Sequence, residues 1–223
     1  MATLAIHLAL QAVPASAEPI NNCLNQNPCQ NIYVGATGSD APGSGQPGGP
    51  GEDINDFGFT YLNPIQWWDS DVNSPFLIHL WGGEGARGAD GHDQGIFGGQ
   101  SGGNGGRGGN AGNIDINLST EVQGLVTGTS TALQLITVGG QGGGGAYGFN
   151  AGPGTSGQGG DSGHIHGTVA GTFPWEDKPA DAPYARAILI QSQGGAGGDG
   201  RGWSAGQDPN GPDGGKGGDS GDI

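Results

Sequence analysis

Residues 98–113 read GGQSGGNGGRGGNAGN, and glycine fills two of every three positions through most of this stretch. A flexible linker needs no such register, whereas a left-handed helix of the polyproline II type has three residues per turn and about 3.1 Å of rise per residue. Glycine on a period of three gives that helix bare edges, so the N–H of one helix can reach the C=O of a close neighbour. We therefore predict that this stretch is a rod that packs against similar rods.

The same threefold spacing recurs elsewhere, as at 82–91, 154–163 and 211–217. Glycine supplies 53 of the 223 residues and proline supplies 14, a share that is typical of disorder when no period is present. Disorder is the main alternative, because glycine loses much entropy on folding. Collagen would require an unbroken G-X-Y repeat with abundant proline. The fixed order of glycine-rich arms and apolar strips favours packed rods.

Short apolar strips alternate with the glycine-rich arms. The strips at 77–81, 135–138 and 188–191 are aliphatic, rich in β-branched residues and bounded by glycine, which predicts β-strands. Each of these strips is followed by two glycine-rich arms and then by a second apolar strip. One such second strip is at 113–116, where apolar and polar residues alternate. A degenerate earlier copy begins at Asn31.

A single strip cannot bury its apolar face, so we expect the strips to stack as rungs of a parallel ladder with the arms projecting from one side. The predicted fold class is mainly β and irregular, a short-strand β-solenoid with projecting bundles of polyglycine-II helices. The expected segments are a signal peptide at 1–17, an N-terminal disulfide loop at 18–34, a capping segment with the degenerate repeat at 35–76, and a glycine-rich array at 77–223 whose last repeat is truncated.

The N-terminal segment has the features of a secretory signal. Leu4–Val13 is a short apolar run, too short to span a bilayer, and Ala15–Ala17 is a small-residue cleavage site. No Lys or Arg precedes the run, so a cytosolic helix stays open as an alternative. In an exported protein Cys23 and Cys29 are expected to form one disulfide that closes a small loop.

The chain is strongly acidic, with a net charge of −15 and only six basic residues. Nucleic-acid binding requires clustered Lys and Arg, and an anionic membrane surface would repel this chain. We therefore expect no nucleic-acid partner and interpret the charge as an acidic, solvated exterior.

Metal-binding motifs are weak. Residues 194–199 and 214–219 fit the first six places of a calcium-binding nonapeptide, but no nine-residue tandem follows. Asp161, Asp199 and Asp219 are instead expected to solvate turns at the ends of arms.

His164 and His166 share a strand face, but no third ligand can be assigned, so two exposed polar residues are the favoured interpretation. No nucleophile elbow, phosphate-binding loop or dinucleotide fingerprint is present. We expect no catalytic residue, no metal and no cofactor.

An aromatic cluster lies in the least repetitive part of the chain and comprises Phe57, Phe59, Tyr61, Trp67 and Trp68. Buried, these residues would cap the first rung of the array, which is the favoured interpretation. Exposed, they would stack on sugar rings or on a partner. The candidate binding residues are Tyr61, Trp67 and Trp68 from this cluster, together with Trp203 from a later loop.

The segments ILIQSQGGAGGDG (188–200) and GGKGGDSGDI (214–223) resemble the glycine-rich passenger repeats of large bacterial autotransporters, and the resemblance covers about 76–223. It implies an exported right-handed β-helix on a Gram-negative surface, with a translocating β-barrel in the outer membrane that is not within this chain. The GGxGGx arms alone also resemble glycine-rich insect antifreeze proteins and phage tail-tip adhesins.

The leading functional hypothesis is a non-catalytic, secreted or cell-surface protein, the N-terminal part of such a passenger. It would serve display or adhesion to a host-surface or extracellular polysaccharide or protein. One alternative is an ice-binding protein, for which Asn104, Arg107 and Asn110 at outward positions are unfavourable. Another is a secreted polysaccharide-active enzyme that uses Asp69 and Asp71.

Overall fold

The computed structural model describes residues 29–61, 65–67, 76–92, 98–124, 126–127, 131, 133–148, 151–172, 175–176, 188–199 and 214–223. Within these residues there is no α-helix, and hence none that could cross a membrane. The strands are β1 (Cys29–Val34), β2 (Phe57–Tyr61), β3 (Ile65–Trp67), β4 (Phe76–Trp81), β5 (Ile114–Gly124), β6 (Val126–Thr127), β7 (Leu133–Val138), β8 (Ile165–Thr172), β9 (Trp175–Glu176) and β10 (Ile188–Gln193).

The strands form parallel sheets, and the chain alternates between the two larger sheets as it proceeds. The first sheet has the order β1-β4-β7-β10, and the second has β5 at its centre, paired with β2, β3 and β8. A short pair, β6 and β9, stands apart from them. The strands β4, β7 and β10 coincide with the predicted strips. β1 lies within the segment 18–34 that was expected to form a disulfide loop, and it contains the first strip of the degenerate copy predicted from Asn31.

The core contains residues from both sheets. β7 alternates buried and half-buried residues, as expected for a strand with one face turned inward. Each fully buried aliphatic side chain stabilises the fold by about 1.5–3 kcal/mol. The buried cluster comprises Phe57, Ile78, Leu80, Ala111, Ile114, Ile116, Leu118, Leu133, Leu135 and Ile165.

Glycine-rich extended segments, here called arms, continue from the strands in two rows. Arms 1, 3, 5 and 7 follow the strands of the first sheet, and arms 2, 4 and 6 lead into strands of the second. The arms are defined as residues 35–41 (arm 1), 46–56 (arm 2), 82–91 (arm 3), 100–113 (arm 4), 139–148 (arm 5), 152–164 (arm 6), 194–199 (arm 7) and 214–222 (arm 8).

Within a row, each arm donates backbone hydrogen bonds to the corresponding arm of the next unit. The Gly85 N–H donates to the Gln141 carbonyl at 2.8 Å, and the Gly142 N–H donates to the Ala196 carbonyl at 2.9 Å. These bonds recur at every third residue, as the glycine spacing predicted. An extended backbone with no internal bonds thereby finds partners for its N–H groups.

Between the rows, each arm donates to the preceding arm of the chain. The Gly106 N–H donates to Ala86, the Gly143 N–H donates to Gly106, and the Gly157 N–H donates to Gly143, each at 2.8 Å. The arms therefore form a continuous zigzag rather than separate hairpins.

The close approach of the arms requires glycine at the inward positions. A Cβ on Gly106 would overlap the Gly49 carbonyl, and a Cβ on Gly143 would overlap the Ala86 carbonyl. By contrast, a Cβ on Gly144 would meet only the Asp199 oxygen, at 3.4 Å. The turn between arms 1 and 2 contains Gly45 with a φ of 69°, a left-handed conformation that favours glycine.

Two hydroxyl groups connect the first sheet to the arms. The Thr137 hydroxyl donates to the Gly112 carbonyl at 3.1 Å and accepts the Gly163 N–H at 3.0 Å. Ser192 pairs with Thr137 in the sheet register and makes the same bridge one unit later, to the Gly163 carbonyl and the Gly221 N–H. Each hydroxyl satisfies backbone groups where an arm meets a strand.

Candidate interaction surface

The outward side of arms 2, 4, 6 and 8 is a polar surface, here called the Asx face. It is formed by every third residue of these arms, because the residues between them, which are mostly glycine, face neighbouring arms. Its residues are Asp53, Asp56, Asn104, Arg107, Asn110, Asn113, Thr155, Gln158, Asp161, His164, Lys216, Asp219 and Asp222.

A ladder of side-chain to backbone hydrogen bonds runs across the Asx face. The Asn110 N–H donates to Asp53 Oδ1 at 2.7 Å, and the Asp161 N–H donates to Asn110 Oδ1 at 2.9 Å. The Asp219 N–H then donates to Asp161 Oδ1 at 2.8 Å. These three outward N–H groups, which take no part in the backbone hydrogen bonds between arms, are thus also paired.

The expected turn role of Asp161 and Asp219 is therefore wrong. Both lie within arms, and the Asp161 carboxylate accepts a backbone N–H from the next arm. The third residue of each GGx turn is close to the backbone of its neighbour, so a short Asx side chain reaches an N–H there. The sequence signal was the recurrence of Asp or Asn at that third position.

A second ladder contains a histidine in place of an Asx residue. The Asn113 N–H donates to Asp56 Oδ1, and the His164 N–H donates to Asn113 Oδ1, both at 2.8 Å. The Asp222 N–H donates to His164 Nδ1 at 2.9 Å. The His164 ring stacks on His166 with centroids 5.6 Å apart. Within the described residues no group of three metal-ligating side chains occurs.

An ion pair joins two arms on this face. Arg107 Nη2 lies 3.0 Å from Asp53 Oδ1, and Arg107 Nη1 donates to Asn110 Oδ1 at 2.9 Å. Both charged side chains are about half exposed, so the pair contributes at most about 1 kcal/mol.

Replacing Asn110 with alanine is expected to lower the free energy of unfolding by about 1 kcal/mol, because the Asp161 N–H loses its acceptor. Replacing Gln158, an exposed residue of the same face, is expected to change it by less than about 0.5 kcal/mol. Urea unfolding followed by circular dichroism measures both. Equal effects of the two substitutions would show that the ladder does not stabilise the arms.

The first sheet carries a partly apolar surface that the sequence interpretation missed. Ile32, Val34 and Trp81 lie on the outward side of the first sheet, and Trp81 is 41% exposed. His79 stacks on Trp81 with centroids 5.5 Å apart. In FLIHLW, His79 and Trp81 alternate with the buried Ile78 and Leu80. This alternation is the sequence feature that could have indicated the outward surface.

Burial lowers the pKa of His79, and its Nε2 is a buried atom with no hydrogen-bond partner among the described residues. Because the folded pKa lies below the unfolded one, the unfolded chain takes up the proton first as the pH falls. We expect the free energy of unfolding to decrease between about pH 8 and about pH 5, and His79→Leu to make that decrease smaller. Urea titrations at the two pH values measure this, and an unchanged decrease in the variant would contradict it.

The predicted binding residues are only partly within the described residues. Tyr61 ends β2 and Trp67 ends β3, and these strands pair with β5 at Leu118 and Gly124. Phe57, from the same cluster, is buried in the core. Trp68, Trp203, Asp69, Asp71 and Cys23 lie outside the described residues, and Cys29 begins β1.

No protein-family model matches this chain, and no curated protein matches it. Among solved structures, the chain is similar to the nine polyproline type II helical bundle springtail antifreeze protein from Granisotoma rainieri. The sequence identity is 20%, and the match covers 86% of this chain and 96% of that chain. The TM-score is 0.20, which is below the level that indicates a shared fold. The comparisons therefore establish no family for this chain.

Proposed function

We propose that this chain is a non-catalytic, exported surface protein in which a β-solenoid carries a slab of polyglycine-II arms for display or adhesion. The slab would be the N-terminal part of an autotransporter-like passenger, and its ligand would be a polysaccharide or protein outside the cell. The observation that carries the proposal is the hydrogen bonding of the arms in two directions, within a row and between rows.

Those two sets of bonds explain why the slab would suit display. Every internal arm is held on several sides, so its backbone is fixed and only the third residue of each turn faces outward. Such a surface is flat, polar and rigid without a large apolar core. Extended segments of this kind can project far from the strands with few residues, because each residue adds about 3.1 Å of length.

An acidic pair in arm 2, Glu52 and Asp53, has structural partners. Glu52 Oε2 accepts the Ala36 N–H at 2.9 Å, and Asp53 is bound by Arg107 and by the Asn110 N–H. These contacts favour a structural role for this acidic pair over general acid–base catalysis.

Ice binding is the alternative function, and the Asx face argues against it. A flat array of arms is compatible with ordered water, but its outward residues include the charged Arg107, Asp161 and Lys216 rather than rows of threonine or alanine. We expect no thermal hysteresis from the purified protein. A concentration-dependent hysteresis gap would replace the adhesion proposal with this alternative.

Surface display is testable through the lysines. Intact cells that produce the protein are treated with an amine-reactive biotin reagent that does not cross membranes. Lys216, whose side chain is 71% exposed, is expected to be labelled, and a cytosolic protein serves as the negative control. Labelling only after lysis would overturn the proposed export.

Adhesion is tested separately with cells that lack the gene. We expect their retention on polysaccharide-coated and matrix-protein-coated surfaces to fall, and the wild-type gene to restore it. Surface labelling without any adhesion defect would leave display as the function and exclude adhesion to those two coatings.

A further inference from the structure

The outward side of the first sheet carries a row of side chains where the strands meet the arms. Trp81 ends β4 and pairs in register with Val34 on one side and with Val138 on the other. Val138 pairs in turn with Gln193, which ends β10. Neighbouring strands lie about 4.7–4.9 Å apart, so the row crosses the sheet with one side chain at each step of that length. These four residues, Val34, Trp81, Val138 and Gln193, are called the Trp81 row.

The row is open to solvent although most of it is apolar. Trp81 is 41% exposed and Val34 is 50% exposed, whereas Leu80, on the other side of β4, is buried. Val138 is half-buried and Gln193 is exposed. Both β4 and β7 are hydrogen-bonded to a strand on either side. The exposure of Trp81 is therefore a property of the face of the sheet and not of an edge strand.

A neighbour on the same strand positions the indole of Trp81. The His79 ring stacks on it with centroids 5.5 Å apart and 22° between the planes. His79 pairs in register with Ile32 and Ile136, so aliphatic residues flank the imidazole on both neighbouring strands. An aromatic ring that is already held in place loses little side-chain entropy when a ligand binds to its exposed surface.

The outward face of the first sheet differs in charge from the chain as a whole. The net charge of the chain is −15, yet the outward positions of β1, β4, β7 and β10 contain no Asp, Glu, Lys or Arg. Burial lowers the pKa of His79, so this ring is neutral at pH 7. The face therefore suits a neutral ligand, whereas an anionic ligand would be repelled by the surrounding acidic chain.

Amide side chains lie beside the apolar ones on this face. Gln191 and Gln193 both point outward from β10, and Gln191 Nε2 donates to Gln193 Oε1 at 2.9 Å. An amide group can both donate and accept hydrogen bonds. The face thus combines an indole, aliphatic groups and amides. This combination matches a sugar, because a sugar ring presents C–H groups on its faces and hydroxyl groups around its rim.

We propose that the Trp81 row binds a neutral polysaccharide, with one sugar ring stacked on Trp81 and the glycan running across the strands towards Gln193. In an extended β-1,4-linked glycan each sugar adds a length similar to the step between strands, so successive sugars would lie over Trp81, Val138 and Gln193. The inference rests on the proposed function, to which it adds a class of ligand and a site on the sheet rather than on the Asx face.

Isothermal titration calorimetry on the purified chain tests this site with cellohexaose and chitohexaose, two uncharged β-1,4-linked oligosaccharides. We expect the wild type to bind at least one of them and Trp81→Ala to weaken that binding at least about tenfold. Trp81→Phe keeps an aromatic ring and is expected to lose less. Gln193→Ala is expected to weaken binding about threefold, through the loss of a hydrogen bond. Hexagalacturonate, which carries a carboxylate on each sugar, is expected not to bind.

Tyr147→Ala is the matched control, because Tyr147 is a partly exposed aromatic residue of arm 5 and not of the sheet. Circular dichroism verifies that each variant is folded, and Gln193→Ala, which changes an exposed side chain, decides the test if Trp81→Ala is not. A wild type that binds neither oligosaccharide, or equal affinities of Trp81→Ala and Tyr147→Ala, would overturn the inference. A dimer that Trp81→Ala dissociates, measured by light scattering, would also overturn it, because a second copy would then cover the row.

The outcomes separate this inference from the proposed function. Surface labelling of intact cells without sugar binding would remove the Trp81 site and leave display in place. Sugar binding by the purified chain without surface labelling would support the site and overturn the proposed export.

Discussion

The variant Gly143→Ala is expected to lose about 3 kcal/mol or more of its free energy of unfolding. Gly143 donates to Gly106 and accepts the Gly157 N–H, both at 2.8 Å, and a Cβ there would overlap the Ala86 carbonyl. Because the obstacle is backbone rather than a flexible side chain, the arms themselves must separate. Separation breaks several bonds of the zigzag at once.

The adjacent residue provides the matched control. Gly144 also lies in arm 5, but a Cβ on it would be in ordinary van der Waals contact, with the Asp199 oxygen at 3.4 Å. Gly144→Ala is expected to change stability by less than about 1 kcal/mol, in the stabilising direction, because alanine restricts the unfolded chain. Urea unfolding and amide hydrogen exchange compare the two variants. If Gly143→Ala were as stable as Gly144→Ala, the arms would not be in contact as described.

The variant Thr137→Val is expected to lower the free energy of unfolding by about 2 to 4 kcal/mol, because the Gly163 N–H and the Gly112 carbonyl would both lose their buried partner. Valine has nearly the same shape as threonine, so packing is preserved and the loss reports the hydrogen bonds. Thermal and urea unfolding both measure it.

Two further substitutions identify the cause. Thr137→Ser keeps the hydroxyl and removes one methyl group, so it is expected to cost only about 0.8 kcal/mol. Thr155→Val changes an exposed threonine of the Asx face and is expected to alter stability by less than about 0.5 kcal/mol. A Thr137→Ser variant as unstable as Thr137→Val would show that packing, and not the hydroxyl, is responsible.

The strands and the threefold contacts of the arms were predictable, because both follow from local periodicity. Alternation of apolar residues indicated β4, β7 and β10, and glycine at every third position indicated which backbone groups would face a neighbour. The degenerate first copy was also visible, since β1 and arms 1 and 2 repeat the later order. Periodicity suffices where each unit contacts its neighbours in the same way.

The side-chain ladders were not predicted, because they depend on the offset between neighbouring arms. Asp161 sits beside the Asp219 N–H, and Thr137 sits beside Gly163, only once the arms are in register. In the sequence these pairs are dozens of residues apart, and an acidic residue in a glycine-rich segment is equally typical of a turn. Nor does spacing indicate which strand face is left partly uncovered, as at Trp81.

The zigzag of the arms has a consequence for how such a chain can change in length. Each arm bonds only to arms one or two places away along the chain, so the energetics reduce to neighbour terms. Duplication or loss of one whole unit would leave the bonds within every other unit unaltered. An insertion of one or two residues within an arm would instead move glycine away from the positions where a neighbouring carbonyl leaves no room for a Cβ. Natural variation in such genes should therefore occur in whole repeats, and in steps of three residues at the far ends of arms.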